Sequence, residues 1–188
     1  MHYIIGITGP ARSGKDTFAG VLDATNQRMR DGVHVFGFAF AEEVKRLAAI
    51  VYFVDPVNFE SRKSRICRKY NMTYRELLQK FGTDFARDMI SEDFWVDRMD
   101  DKYSAMLKKN QGSDTLSLIT DVRFENEAEW VRSKGGIIVE MVRPGTGGDN
   151  HKSEAPLPDH IPRHKVANTG EIKDLIPSAE RILHLLYS

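Results

Sequence analysis

Residues 9–17 read Gly-Pro-Ala-Arg-Ser-Gly-Lys-Asp-Thr, a glycine-rich turn that ends in Gly14 and Lys15 and is followed by Asp16 and Thr17. An apolar, strand-like run at residues 3–7 precedes it, and a helix-like run from Asp16 to about Ala24 follows. Strand, G-x-x-x-x-G-K turn and helix in this order are typical of a phosphate-binding loop. In such a loop, backbone N–H groups at a helix N-terminus surround a polyphosphate and the lysine contacts its outer phosphates. The alternative is an ordinary glycine-rich turn, which would not require the flanking strand and helix.

One position of the predicted loop is unusual. The residue after the lysine is ordinarily Ser or Thr, whose hydroxyl binds Mg²⁺. Here it is Asp16, and the side chain of Thr17 is turned away from it by about 100° along the helix. A carboxylate is also a hard oxygen ligand for Mg²⁺, directly or through a coordinated water. The alternative role for Asp16 is that of an acid favoured by the helix dipole.

The bulk properties indicate one globular, intracellular domain. The 188 residues carry 27 Lys and Arg against 27 Asp and Glu, so no overall field attracts nucleic acid or an anionic membrane. The lone cysteine, Cys67, excludes an internal disulfide and fits a reducing compartment. The longest apolar stretch, residues 47–54, is too short to cross a bilayer, and the N-terminus lacks the pattern of a signal peptide. We therefore expect a cytoplasmic protein.

Strand-like and helix-like segments alternate along most of the chain. The predicted strands after the loop are 33–39, 115–120, 136–142 and 164–167. Three helices are predicted after the loop: one that starts at about Ala41, one that runs through residues 124–131 and one that spans residues 171–186. A buried stripe is expected on the first of them at Val44, Leu47, Ala48 and Val51. This alternation predicts an α/β fold with a parallel sheet covered on both faces, a three-layer sandwich, and a ligand site at the carboxyl ends of the strands.

Two segments fall outside the alternation. Residues 55–110 are mostly helical in pattern and contain no convincing strand. Residues 143–158 form a long polar loop with three glycines and three prolines, which is typical of a lid. We predict a single domain, 1–188, with a helical insertion for the acceptor and a lid loop, as a two-substrate phosphotransferase requires.

Several side chains outside the loop could carry chemistry. Asp121 ends an apolar strand, where a carboxylate suits Mg²⁺ binding or acceptor positioning, although it could instead cap the next helix. Arg123, two residues later, could contact a phosphate. A basic run at residues 61–70 could bind anions or form a solvated face balanced by the acids of residues 92–101.

The insertion also begins a helix with a recognisable cap. Thr73 and Glu76 form a capping box, and the helix behind it bears Arg75 and Gln79 at i, i+4. Arg87 and Trp95 follow. A guanidinium binds phosphate, an amide can contact a base edge, and an indole offers a stacking face. Considered alone, a residue such as Trp95 is more often part of the core, and one such as Arg75 is more often on the surface.

Seven blocks of the chain form a specific combination. They are Gly-Lys-Asp-Thr (14–17), Leu-Leu-Gln-Lys-Phe-Gly-Thr-Asp-Phe-Ala-Arg-Asp (77–88), Phe-Trp-Val (94–96), Asp-Val-Arg-Phe-Glu-Asn-Glu-Ala (121–128), Gly-Gly-Ile-Ile-Val-Glu-Met-Val-Arg-Pro (135–144), His-Lys-Ser-Glu (151–154) and Asn-Thr-Gly-Glu (168–171). Together these blocks resemble the deoxynucleoside monophosphate kinases of tailed bacteriophages. The resemblance covers nearly the whole chain, and Asp at position 16 fits this family.

The resemblance implies transfer of the ATP γ-phosphate to a deoxynucleoside 5′-monophosphate, with Mg²⁺. ATP would contact Gly9, Ala11, Arg12, Ser13, Gly14, Lys15, Asp16, Thr17, Asn168 and Gly170, the last two near the adenine. The acceptor would contact Lys45, Arg75, Gln79, Arg87, Trp95 and Asp121. Asp16 and Asp121 would organise Mg²⁺, and Lys15, Arg87, Arg123 and Arg143 would act on the phosphates.

Other functions fit parts of the pattern. A phosphomevalonate or dephospho-coenzyme A kinase of the same fold is the main alternative, because Asp after the lysine also occurs in animal-type phosphomevalonate kinases. A nucleotide-dependent switch is a further alternative, but the chain has no Asn-Lys-x-Asp motif and no Asp-x-x-Gly motif after a strand. The sequence leaves the oligomeric state open, with a homodimer compatible, and we expect no nucleic-acid or membrane partner.

Overall fold

A computed structural model describes residues 1–146 and 155–188. The chain forms two compact units. Unit 1 comprises Met1–Ala39 and Met106–Ser188, and unit 2 comprises Phe40–Ala105. Half of the predicted lid, residues 147–154, lies outside the described residues and includes the His-Lys-Ser-Glu block.

Unit 1 is built on a five-stranded parallel sheet, which confirms the predicted α/β fold. The strands are β1 (His2–Thr8), β2 (Val33–Phe38), β5 (Asp114–Ile119), β6 (Ile137–Val142) and β7 (His164–Ala167). Their order in the sheet is β2-β5-β1-β6-β7, and every neighbouring pair is parallel. Each predicted strand is present within one residue at either end, because β-branched and aromatic residues dominate these runs.

Helices cover both faces of this sheet. On one face, α1 (Lys15–Met29) and α7 (Ile176–Tyr187) share a buried core with the alternate side chains of β1, including Ile5 and Ile7. On the other face, α6 (Glu125–Ser133) packs closely at Gly6. A Cβ atom at Gly6 would lie only 3.2 Å from the Val131 side chain of α6, so this glycine allows the helix to approach the strand. Unit 1 is therefore a three-layer sandwich.

Two helices of unit 1 differ from prediction. Helix α1 continues five residues beyond Ala24, because Thr25 and Asn26 are buried polar residues that extend its packed face. The C-terminal helix begins as a 3₁₀ turn, Ile172–Leu175, and becomes α-helical only at Ile176. Pro177 lies in the first turn of α7, where its missing N–H costs nothing.

Unit 2 is mostly helical. Its elements are α2 (Phe40–Tyr52), α3 (Val57–Ser61), β3 (Ile66–Cys67), β4 (Met72–Thr73), α4 (Tyr74–Gln79), a π-helical segment (Lys80–Ile90) and the start of α5 (Phe94–Lys109). The prediction that residues 55–110 contain no strand was wrong, because β3 and β4 form a short antiparallel hairpin. Two residues per strand produce too little alternation to detect in a sequence, and Asn71 closes the hairpin with a φ of 53°.

The stripe predicted on α2 is only partly correct. Ala48 is fully buried, but Val51 is 54% exposed, and Ala49 is buried instead. Val51 lies in the last turn of α2, which ends at Tyr52, so its side chain projects past the packed part of the helix. Among the described residues, no helix is long and apolar enough to cross a membrane.

Candidate active site

The loop predicted to bind phosphate lies between β1, the central strand of the sheet, and α1. Gly14 is left-handed, with φ 95°, and α1 begins at the next residue. The first bond of the helix runs from the Phe18 N–H to the Gly14 carbonyl, at 2.9 Å, so the N–H groups of the three residues before Phe18 precede the helical ladder. These N–H groups and the positive end of the helix dipole favour an anion at this position.

Two further backbone features are typical of a tight ligand-binding loop. Gly9 has φ 131°, and a Cβ atom there would lie 2.5 Å from the Met141 carbonyl oxygen, so only glycine fits. Arg12 has φ 66°, a left-handed conformation that is unfavourable for a residue with a side chain. Strained residues of this kind cluster at ligand sites, where the surrounding structure holds them.

The Lys15 side chain lies across the loop. Its ammonium donates hydrogen bonds to the carbonyls of Gly9 and Pro10, both at 2.8 Å, and the residue is half-buried. The loop therefore carries a fixed positive charge beside the helix N-terminus, as the sequence predicts for a group that contacts outer phosphates.

Four more predicted residues follow the carboxyl ends of other strands of the sheet. Asp121 and Arg123 follow β5, Arg143 follows β6, and Asn168 follows β7. Because all five strands are parallel, these residues share the edge of the sheet that carries the loop. The structure thus brings together in unit 1 the loop and these four predicted residues.

Asp121 is held in a short connection between β5 and α6. It is 9% exposed, and its neighbours are tied to the sheet: the Thr120 N–H donates to the Phe38 carbonyl at 3.0 Å, and the Val122 N–H donates to the Ile7 carbonyl at 3.1 Å. The N-cap of α6 is Phe124, three residues later. Helix capping, the alternative role for Asp121, therefore does not explain its position.

Sequence reasoning missed Glu127, which organises this connection. Its carboxylate is buried, with 2% of the residue exposed, and accepts the N–H groups of Arg123 at 2.7 Å and Phe124 at 3.1 Å. A Glu three residues after the N-cap is half of a capping box. The other half is ordinarily Ser or Thr, and Phe124 at that position conceals the motif in the sequence.

Two carboxylates at the loop-bearing edge of the sheet are candidate ligands for Mg²⁺. Asp16 is exposed in the first turn of α1, and Asp121 follows β5. Among residues 1–146 and 155–188, no three His, Cys, Asp or Glu side chains form a group that could hold a metal alone. Proteins commonly bind Mg²⁺ through one or two carboxylates together with substrate phosphates, so two carboxylates beside a phosphate-binding loop fit a nucleotide-bound ion.

Two other predicted site residues of unit 1, Arg143 and Gly170, lie in the connections that follow β6 and β7. Arg143 is exposed, and its carbonyl accepts the Thr146 hydroxyl at 2.7 Å. Gly170 lies against Asp174, whose carboxylate accepts the Glu171 N–H at 2.8 Å. A Cβ atom at Gly170 would lie 2.3 Å from that carboxylate, so a side chain there would displace the Asp174 side chain.

The remaining predicted residues all belong to unit 2. Arg75 is exposed and Gln79 is half-buried on α4, whose Thr73–Glu76 capping box is present as predicted. Lys45 forms an ion pair with Glu60, and this hydrogen bond lowers the pKa of the Glu60 carboxyl.

Arg87 and Trp95 are both buried within unit 2. Arg87 is 7% exposed, and its guanidinium donates to the Glu92 carbonyl at 2.9 Å. Trp95 is 2% exposed, its indole N–H donates to the Gly82 carbonyl at 2.7 Å, and its ring meets Phe81 edge-on. Trp95 therefore matches the core alternative stated above, since the structure provides no exposed indole face for stacking.

A parallel sheet with a glycine-lysine loop after its central strand defines unit 1 as a phosphate-binding-loop α/β unit of the kind that binds nucleotides. The particular family follows from comparison with known proteins. A model of the deoxynucleotide monophosphate kinase family matches residues 51–178, and the chain belongs to this family. It is an enzyme, a nucleotide kinase. The loop at residues 9–17 lies outside the matched residues and independently indicates phosphate binding.

Two viral proteins named as deoxynucleotide monophosphate kinases are similar in sequence to this chain. A protein of Acanthamoeba polyphaga mimivirus, provisionally named deoxynucleotide monophosphate kinase, is 27% identical over 169 residues, 82% of this chain and 81% of that protein. The deoxynucleotide monophosphate kinase of Escherichia phage RB69 is 32% identical over 111 residues, which cover 58% of this chain and 44% of that kinase. The matched part thus spans less than half the length of the phage enzyme.

Two solved kinase structures superpose on this chain with low TM-scores and low sequence identity. A sugar kinase from Janibacter sp. HTCC2649 superposes with a TM-score of 0.44 and 12% identity, covering 98% of this chain and 95% of that one. The Mycobacterium tuberculosis APS kinase superposes with a TM-score of 0.45 and 12% identity, covering 100% of this chain and 98% of that one.

Proposed function

We propose that this chain transfers the γ-phosphoryl group of ATP to a deoxynucleoside 5′-monophosphate, giving ADP and the deoxynucleoside diphosphate. The observation that carries the proposal is the Lys15 ammonium, placed 2.8 Å from two loop carbonyls at the N-terminus of α1. The choice of a deoxynucleotide acceptor is supported by the family match over residues 51–178.

The loop residues would hold the donor. The N–H groups around Gly14 point toward a bound polyphosphate in loops of this type, and the Lys15 ammonium can move from its loop carbonyls to the outer phosphates. These contacts strengthen as negative charge moves onto the departing β-phosphate, so they favour the transition state over the bound substrate.

The chemistry itself needs little from the protein. An oxygen of the acceptor phosphate attacks the γ-phosphorus, the bond from that phosphorus to the β–γ bridging oxygen breaks, and ADP leaves with the electron pair. The attacking phosphate is already an anion, so no strong general base is required, and catalysis consists of positioning and charge neutralisation. Arg87, Arg123 and Arg143 are proposed to supply that neutralisation.

Mg²⁺ would be held by Asp16 and Asp121 together with the ATP phosphates. When bound, it neutralises phosphate charge and orients the triphosphate. The backbone on both sides of Asp121 is hydrogen-bonded to the sheet through the Thr120 and Val122 N–H groups, which supports this role.

An acceptor panel tests the proposal. The purified protein is incubated with ATP, Mg²⁺ and each deoxy- and ribonucleoside monophosphate in turn, and ADP formation is measured. Phosphomevalonate and dephospho-coenzyme A are included as acceptors for the competing kinases. We expect turnover with at least one deoxynucleoside monophosphate and none with the two competitors. Turnover only with a competitor, or ATP hydrolysis without any acceptor dependence, would overturn the proposal.

A further inference from the structure

Asn168 contacts the phosphate-binding loop directly. Its side-chain Nδ2 donates a hydrogen bond to the Ser13 carbonyl at 2.9 Å, across 155 positions of sequence. Ser13 is fully buried, and its N–H donates to the Pro10 carbonyl at 3.2 Å. The Asn168 amide therefore holds the loop at the residue immediately before Gly14.

The position of Asn168 is itself fixed by the sheet. It directly follows β7, and its backbone N–H donates to the Val142 carbonyl at the end of β6, at 2.8 Å. The side chain thus starts from a rigid point and reaches the loop that follows β1. A hydrogen bond anchored in this way restricts the Ser13 peptide with little further loss of side-chain freedom.

The same contact gives Gly14 a second reason to be glycine. Gly14 is left-handed, and a Cβ atom there would lie 2.3 Å from the Asn168 Nδ2 atom. The amide group of Asn168 therefore occupies the space that a side chain at position 14 would need. Loop and asparagine are matched in shape as well as in hydrogen bonding.

We infer that Asn168 is a positioning residue of the phosphate-binding loop, which sets the direction of the N–H groups that follow Ser13. Sequence reasoning placed Asn168 near the adenine of ATP. A residue that orients the loop acts on the polyphosphate and is indifferent to the base. This inference rests on the proposed binding of ATP by the loop.

The two roles are separated by a ligand that has no base. Affinities for Mg²⁺-ATP and for inorganic tripolyphosphate are measured by calorimetry for the wild type, Asn168→Ala and Asn168→Asp. We expect both ligands to bind about fivefold more weakly to Asn168→Ala, the loss typical of one neutral hydrogen bond. Asn168→Asp should lose more, because its carboxylate would face the Ser13 carbonyl.

Asn110→Ala is the matched control. The Asn110 Nδ2 also donates to a backbone carbonyl, that of Met106, at 2.8 Å, but it does so at the end of α5 before β5 begins. This variant should bind both ligands as the wild type does, and thermal unfolding of the two alanine variants shows whether stability alone explains any loss.

A readout without ligand keeps the inference separate from the proposed function. In the ¹⁵N-labelled free protein, Asn168→Ala should shift the amide resonances of Gly14 and Lys15 and accelerate their hydrogen exchange, whereas Asn110→Ala should leave them unchanged. Weaker binding of ATP with unchanged tripolyphosphate binding would overturn the inference in favour of a base contact. Unchanged loop resonances would overturn it outright. Failure of the wild type to bind either ligand, with the loop resonances shifted as expected, would instead contradict the proposed function.

Discussion

The buried carboxylate of Glu127 accepts the backbone N–H of Arg123 at 2.7 Å. It also accepts the Phe124 N–H, so a single side chain satisfies two donors at the start of α6. Arg123 and the nearby Asp121 carry the predicted phosphate and metal contacts. Glu127 therefore couples the stability of α6 to the geometry of the connection that bears Asp121 and Arg123. Substitutions at Glu127 and at Glu76 can separate the effect on stability from the effect on activity.

Glu127→Ala is expected to lower the free energy of unfolding by about 1–3 kcal/mol, because it removes the buried acceptor of the partly buried N–H groups of Arg123 and Phe124. Turnover per folded molecule should also fall, since the connection that bears Asp121 and Arg123 loses its anchor. Denaturant unfolding and steady-state kinetics measure the two effects. Glu76→Ala is the control: Glu76 occupies the same position in α4 and accepts the Thr73 N–H at 2.7 Å, but it is exposed, so its loss should cost less. Equal stability losses with unchanged kinetics would contradict the linkage.

Lys15→Ala is expected to lower kcat/KM by at least about 100-fold, because the variant lacks the ammonium that stabilises the transferring phosphate. Circular dichroism should show an unchanged fold, since the hydrogen bonds of the Lys15 ammonium to the Gly9 and Pro10 carbonyls lie within the loop and not in a helix or strand. Lys109→Ala, at the exposed end of α5, should retain full activity. A Lys15 variant with more than a tenth of wild-type activity would refute the assignment.

Arg87→Ala is expected to raise KM for the monophosphate more than KM for ATP, if the guanidinium holds the acceptor phosphate. The residue is 7% exposed and donates to the Glu92 carbonyl, so the substitution should also destabilise unit 2. Arg98→Ala removes a more exposed arginine whose guanidinium lies 3.5 Å from Glu43, and it provides the control for lost charge. Equal effects on both KM values would show that Arg87 has a structural role.

The raised pKa of Tyr187 predicts a loss of folding stability at alkaline pH. Burial raises the pKa of its phenol to about 12 from an ordinary value of 10.0, so the folded protein retains a proton that the unfolded chain releases. The stabilisation is complete below pH 10 and is lost as the pH rises toward 12. Denaturant unfolding at a series of pH values should show this decline. In Tyr187→Phe the decline over this range should be shallower.

The same variant has a second expected effect at neutral pH. The Tyr187 hydroxyl donates to the Asn26 side chain, which is fully buried. Tyr187→Phe should therefore cost about 1–3 kcal/mol at pH 7, because the Asn26 oxygen loses its donor. An unchanged unfolding free energy would mean that water replaces the phenol at this position.

Local signals were predicted well and long-range partners were not. The Thr73–Glu76 capping box and β7 follow from residues within a few positions of each other, and both are present as predicted. The contact of Asn168 with Ser13 spans 155 positions, and no local pattern encodes it. Glu127 was missed for a different reason: the N-cap of its helix is Phe124 rather than Ser or Thr, so the usual sequence sign of a capping box was absent.

Burial was the other quantity that local patterns could not supply. Trp95 was compatible with a stacking site and with a core, because periodicity identifies an apolar face without saying what covers it. Arg87 was predicted only as a phosphate-binding residue. The structure shows both residues buried in unit 2. The hairpin of β3 and β4 was likewise invisible, since pairing of such short strands depends on their neighbours.

By itself the sequence determined the class of fold, the strand–loop–helix order around Lys15 and the kinase family, because each is encoded by residues close together in the chain or by blocks of residue identity. The strand order emerged only in the folded unit. It places β5 and β6 beside β1 and β7 beside β6, so Asp121, Arg143 and Asn168 follow strands at the edge of the sheet that carries the loop. Strand order is set by packing of the sheet against α1, α6 and α7, and that free energy belongs to the whole unit rather than to any one segment.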